Sequence, residues 1–162
     1  MTIPVKRESL DHGSDDGCRV RGLARQVISG LGATRTLTTG ESGAAVLFDR
    51  AAGIVITLPP IASHDIGMYF DFFVTVTGTG SYSIDTDAAT TFIGGGIYGG
   101  STTAGGGDAF PGTIASDVSI DLDATTTGED VGGWVRVTAS STTTWIAQGV
   151  TFGSGTLATP FA

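Results

Sequence analysis

His12 and His64 are the two imidazoles of this chain and Cys18 is its one thiol, so side chains able to act as base or nucleophile near neutral pH are scarce. One histidine lies in a polar N-terminal stretch and the other in "ASHD". Their separation suits neither the paired histidines of a zinc-protease helix nor a nucleophile triad. Carboxylates are plentiful, sixteen in all. Asp85 with Asp87, and Asp121 with Asp123, are spaced so that each pair could act as acid and base or lend oxygens to calcium. Each pair also sits in or beside the polar phase of an alternating pattern, where an acid keeps a strand soluble and guards an edge. Gly94, Gly96 and Gly99 complete a GxGxxG, which cradles a dinucleotide only when its third glycine opens a helix. The following "GGSTTAGGG" does not. The residues therefore point to a protein that is not an enzyme and has no cofactor, metal ligand or catalytic residue.

The elements that would position such residues are strands. In "MYFDFFVTV" Phe70, Phe72, Val74 and Val76 share one phase, with Asp71 and Thr75 in the other. "SYSIDT" turns Tyr82 and Ile84 inward, and "DVSIDLD" alternates Val118, Ile120 and Leu122 with polar residues. Period two with one apolar phase is the mark of a half-buried strand. Further strands are expected over 35–38, 45–49, 54–58, 133–138 and 143–148, separated by turn clusters such as "GTGS" and "ASST". Pro59 and Pro60 lack amide donors and must end the strand that carries Ile54, Ile56 and Leu58. Phe70, Phe72 and Trp134 are the large aromatics expected in the core. The fold class is all-β, an antiparallel sandwich or barrel-like domain.

A different pattern precedes it. "RVRGLARQVISGLG" sets Leu23, Val27 and Leu31 four apart with Ala24 and Ile28 alongside, the stripe of a short amphipathic helix between Gly22 and Gly30. The chain thus divides into an N-terminal arm, 1–33, and a β-rich body, 34–162. Charge follows the division. Residues 1–35 carry six basic against four acidic side chains, whereas the remainder has Arg50 and Arg136 against twelve acids. A faintly basic arm on an acidic body reads as an interaction tail. The overall charge of −8 argues against nucleic acid as a partner, since phosphate neutralisation needs clustered positive charge. No apolar run approaches the roughly 20 residues that span a bilayer, and the N-terminal stretch lacks the apolar core of a signal peptide, so no membrane is expected. A lone cysteine excludes an intrachain disulfide, and stability must come from packing.

One stretch stands apart. "FIGGGIYGGSTTAGGGDAFPG", 92–112, is nearly half glycine and cannot supply much side-chain core. It is either a long surface loop or a strand lying very close to another backbone. It is also a candidate contact surface.

The order "TRTLTTGESG", "AAVLFDRAAGIVITLPP", "GMYFDFFVTVTGTGSYSIDT", "FIGGG" and "GEDVGGWVRVTASSTTTWIAQG" resembles a β-rich domain of tailed-bacteriophage virion proteins. Thr36, Leu37, Gly43, Leu58, Pro59, Phe70, Phe72, Trp134 and Trp145 occupy the matching places, over about residues 34–150. The resemblance implies a small structural protein: a capsid decoration or cement protein, a head fibre or a fibre-tip module. Absence of a repetitive shaft favours the decoration protein, made in the host cytoplasm and carried on the capsid surface of the virion. Its partners would be the major capsid protein and itself, as a homotrimer. Arg19, Arg21, Leu23, Arg25, Val27, Ile28 and Leu31 of the arm, with Tyr98, Phe110 and Trp145 of the body, would form the capsid and subunit contacts. The alternative is a recognition module that binds a host-surface carbohydrate or receptor.

Overall fold

The computed structural model describes residues 25–103 and 105–162. Eleven strands are present among them: β1 Val27–Ile28, β2 Thr34–Thr36, β3 Ala45–Phe48, β4 Ile54–Thr57, β5 Tyr69–Val74, β6 Tyr82–Asp85, β7 Phe92–Ser101, β8 Gly107–Gly112, β9 Ser119–Leu122, β10 Trp134–Ser141 and β11 Thr144–Gly153. They form a seven-stranded sheet in the order β1-β3-β5-β10-β11-β7-β8 and a four-stranded sheet in the order β2-β4-β6-β9. The two sheets share one core. Phe48 of the larger sheet and Tyr82 of the smaller stack at 4.6 Å between ring centroids, their planes nearly parallel. Around them lie Val46, Phe70, Phe72, Ile54, Ile56, Ile84 and Ile120, all essentially inaccessible.

The all-β class holds, but the sheets are mixed and not antiparallel. Five of the nine strand pairings run parallel. The reason lies in the path of the chain. From β1 to β6 each strand crosses to the other sheet, so same-sheet neighbours are two strands apart in sequence and point the same way. β10 and β11 form a hairpin that inserts between β5 and β7. Alternation of apolar and polar residues reports that one face is buried. It carries no information on the direction of the neighbour.

The arm expectation also changes where it can be compared. Residues 22–24 of the expected helix, and Arg19 and Arg21 before it, lie outside the described residues. Val27 and Ile28 form a two-residue strand that pairs in parallel with Ala45 and Val46. Val27 is exposed while Ile28 enters the core. On a helix the two would flank one stripe, whereas a strand sends them to opposite faces. Sheet hydrogen bonding overrides a helical pattern of two or three turns.

The glycine-rich stretch is a pair of strands, β7 and β8, the second of the two arrangements that its composition allows. β7 lies parallel to β11 along its whole length, and Gly95 shows why glycine is needed. Its φ is +108°, and a Cβ there would meet the Ala147 carbonyl oxygen at 2.0 Å.

Candidate functional site

The outer face of the seven-stranded sheet gathers the chemistry that a partner could use. Register places Leu47, Phe73, Trp134, Val150, Tyr98 and Ala109 side by side on six successive strands. The next row holds Val27, Ala45, Asp71, Arg136, Gln148, Gly96 and Pro111, and a third holds Tyr69, Thr138, Ile146 and Gly94. Of the eight large hydrophobic residues left exposed among the described residues, five stand on this face: Val27, Tyr69, Tyr98, Trp134 and Ile146. Scattered apolar residues need no explanation on a protein surface, but a contiguous set marks a place to be covered.

Asp71 organises the middle of the face. Arg136 directs Nε and Nη2 to its two carboxylate oxygens at 2.6 and 2.7 Å, the fork geometry that makes such pairs strong. Arg25 reaches the same carboxylate at 2.7 Å and donates to the Ala44 carbonyl at 3.1 Å. Covered by two guanidinium groups, Asp71 is only 3 % exposed although it lies on the outward phase of β5. Burial alone would raise its pKa. The hydrogen bonds and charges of Arg136 and Arg25 outweigh burial and hold the carboxyl below the usual range. Both cations also sit over rings, Arg25 over Phe73 at 5.6 Å and Arg136 over Tyr69 at 4.7 Å. Two cations share one carboxylate, which leaves one net positive charge in the middle of the face on an otherwise acidic chain.

The opposite outer face is its contrary. Ser83 on β6 lies within hydrogen-bond reach of Asp85 and of Asp121 on β9, and Ser119 donates to Asp121 at 3.1 Å. Asp87, Thr86 and Val118 border the same shallow depression. Among the described residues no group of three or more His, Cys, Asp or Glu side chains is arranged to hold a metal ion. Asp123, paired by spacing with Asp121, is occupied elsewhere. Its Oδ1 accepts the backbone N–H groups of Thr125, Thr126 and Thr127. These bonds overcome the opposing effect of burial and lower its pKa to about 2.

The expected contact residues separate. Arg25, Val27 and Tyr98 stand on the aromatic face, and Phe110 is half-buried on β8 with its ring against Gly99. Ile28 belongs to the core and Leu31 packs against it. Trp145 is a core residue, wholly inaccessible and 6.2 Å from the Phe70 ring, so it is no surface contact. Trp134, expected inside, is 38 % exposed. The two tryptophans exchange roles for a reason readable in "WVRV" and "WIAQ". Trp134 shares its phase with Arg136, whereas Trp145 shares its phase with Ala147 and opposes Gln148. Arg19, Arg21 and Leu23 lie outside the described residues.

No protein-family model matches the chain, and neither does any curated protein or solved structure.

Proposed function

We propose that this chain is a phage capsid decoration protein, which binds the outer surface of the major capsid protein shell as a symmetric oligomer and reinforces the head. The observation that carries this reading is how the N-terminal segment joins the body. β1 is hydrogen-bonded along β3, Ile28 is sunk into the core, and Arg25 is fastened to Asp71 and to the Ala44 carbonyl. A pull on residues 1–24 would be borne by the sheet and its core, as a tether requires. The body is a packed two-sheet unit, and the resemblance to tailed-phage virion domains supplies the shell as the anchor. Function on this reading is burial against protein, with the arm residues Arg19, Arg21 and Leu23 as the expected contacts to the shell.

The test removes residues 1–24 and leaves β1 in place. Co-sedimentation with purified heads should fall sharply while the thermal midpoint of the isolated body is unchanged. Heads lacking the protein should release DNA at a lower temperature. Full occupancy by the truncated chain, or equal heat stability of bare heads, overturns the reading.

A further inference from the structure

A glycine within a strand gives up side-chain packing and calls for a local reason, such as close approach of another group. β7 contains five, and four have an internal one. A Cβ on Gly94 would lie 2.2 Å from a methyl of Ile114, Gly95 has its positive φ and the Ala147 carbonyl, and Gly99 and Gly100 carry the rings of Phe110 and Phe152. Gly96 has none. Its φ lies outside the left-handed region, and the nearest atom to a Cβ there is the Phe110 carbonyl oxygen at 3.7 Å, an ordinary contact. The fold accepts a larger residue at 96, an exposed position of the aromatic face one strand in from the β8 edge.

The missing side chain opens a shallow trough of roughly 660 Å³ between Gln148 on one side and Pro111 on the other, with Tyr98 at its end. Tyr98 lies across β8, where a Cβ on Gly107 would come 2.1 Å from its hydroxyl oxygen, and the residue remains 48 % exposed. Through Val150 the register sets Trp134 two strands away, about 10 Å at the usual strand spacing. That separation lets two non-adjacent rings of one extended sugar chain rest on the two aromatics. In the row beside the two aromatics stand polar groups with spare capacity. The Gln148 amide has no hydrogen-bond partner among the described residues, and Arg136 commits Nε and Nη2 to Asp71 but not Nη1.

We propose that this trough and the rings beside it bind an anionic oligosaccharide, one whose sugars carry carboxylates. Pyranose rings present apolar C–H faces to Tyr98 and Trp134 and hydroxyls to Gln148, the mixture of ring platform and few polar groups typical of a ligand site. The charge is complementary. Arg25 and Arg136 against Asp71 leave one net positive charge beside the trough, while the chain as a whole is −8 and its opposite face bears Asp85, Asp87 and Asp121. An anion is therefore favoured beside Arg25 and Arg136 over the acidic opposite face. The inference does not depend on how the body is attached to a shell.

The test is calorimetric titration of the full-length protein with oligogalacturonate and hyaluronan oligosaccharides, and with neutral cellohexaose as control. Binding of an acidic chain should weaken as salt is raised. Gly96→Val and Tyr98→Ala should each weaken it about tenfold or more, a loss near 1.4 kcal/mol, with the thermal midpoint kept. Gln148→Ala serves as the second probe should valine at 96 disturb folding. No binding of either acidic chain at about 10 mM, near the weak end of measurable affinity, overturns the proposal. So does equal affinity for cellohexaose, or wild-type affinity in both Gly96→Val and Tyr98→Ala. If Gly96→Val binds no sugar worse than wild type yet loses retention on heads, the trough is a protein contact, and only the saccharide is refuted.

Discussion

The Glu129 carboxylate accepts the backbone N–H of Tyr82 at 2.6 Å, tying the loop after β9 to the first residue of β6. Glu129 is 1 % exposed, and the turn at Gly78 presses against it so closely that a Cβ there would lie 2.0 Å from Oε2. Burial pushes its pKa up to about 7, with the Tyr82 N–H pulling the other way and the Asp123 charge adding to the rise.

The first prediction is a pH dependence. An acid whose pKa is higher in the folded state holds its proton more tightly there than in the unfolded chain. Its contribution is therefore fully present below about pH 4.5 and is lost as the pH rises to about 7, after which it is flat. The full shift corresponds to about 3 kcal/mol at 1.36 kcal/mol per pH unit. Urea midpoints measured from pH 5 to 8 should fall across this window. Glu129→Gln, which retains an acceptor for Tyr82 N–H, should abolish the slope, and an unchanged slope in that variant would refute the assignment.

Asp123 acts in the opposite sense. Its pKa, lowered to about 2, makes it a stabilising group above the ordinary carboxylate range whose contribution disappears as the pH falls towards 2. Asp123→Ala removes the acceptor for three backbone N–H groups and should destabilise at neutral pH while leaving little difference from wild type at pH 2. A variant as stable as wild type at pH 7 would show that the threonine turn holds without its cap.

The tryptophans give a direct contrast. Trp145→Ala empties a fully buried site and should cost about 3–5 kcal/mol. Trp134→Ala removes a partly exposed ring from the outer face and should cost under about 1 kcal/mol. Chemical denaturation of both variants checks the ranking, and a larger loss at Trp134 would reverse it.

Much of this was legible in the sequence, and the failures share one cause. Phe70, Phe72, Tyr82, Ile84, Ile120 and Leu122 lie inside as their alternation requires, because period two reports burial directly. What alternation cannot report is which strand lies alongside. The parallel pairing of β3 with β5, the capture of Val27 and Ile28 as β1, and the placement of Arg25 and Arg136 on one carboxylate all depend on contacts distant in sequence. Asp71 keeps the outward phase that its pattern requires, yet two arginines cover it. The two tryptophans carried an overlooked local signal: Arg136 shares the phase of Trp134, and Ala147 shares that of Trp145.

Arg25 should act locally. Its guanidinium joins β1 to Asp71 and Ala44, but it is partly exposed and Arg136 retains the carboxylate without it. Arg25→Ala should therefore cost at most about 1 kcal/mol of global stability. Amide exchange should quicken at Val27 and Ile28 and stay unchanged at Phe72. Uniform acceleration through the core would show that β1 unfolds only with the whole sheet.

Adjacent glycines on β7 supply the last prediction. Gly95 and Gly96 are both exposed neighbours in one strand, and sequence gives no reason to treat them differently. At Gly95 an alanine would need φ near +108° and would drive its Cβ into the Ala147 carbonyl, so the strand must part from β11 or shift. Backbone strain of that kind costs about 1–3 kcal/mol before any loss of pairing. At Gly96 an alanine meets only an ordinary contact and restricts the unfolded chain, which should stabilise by up to about 1 kcal/mol. Thermal midpoints of Gly95→Ala and Gly96→Ala should therefore move in opposite directions. A comparable loss in both would mean that strand β7 needs glycine at 96 for its own folding, and the space above that residue would no longer point to a ligand.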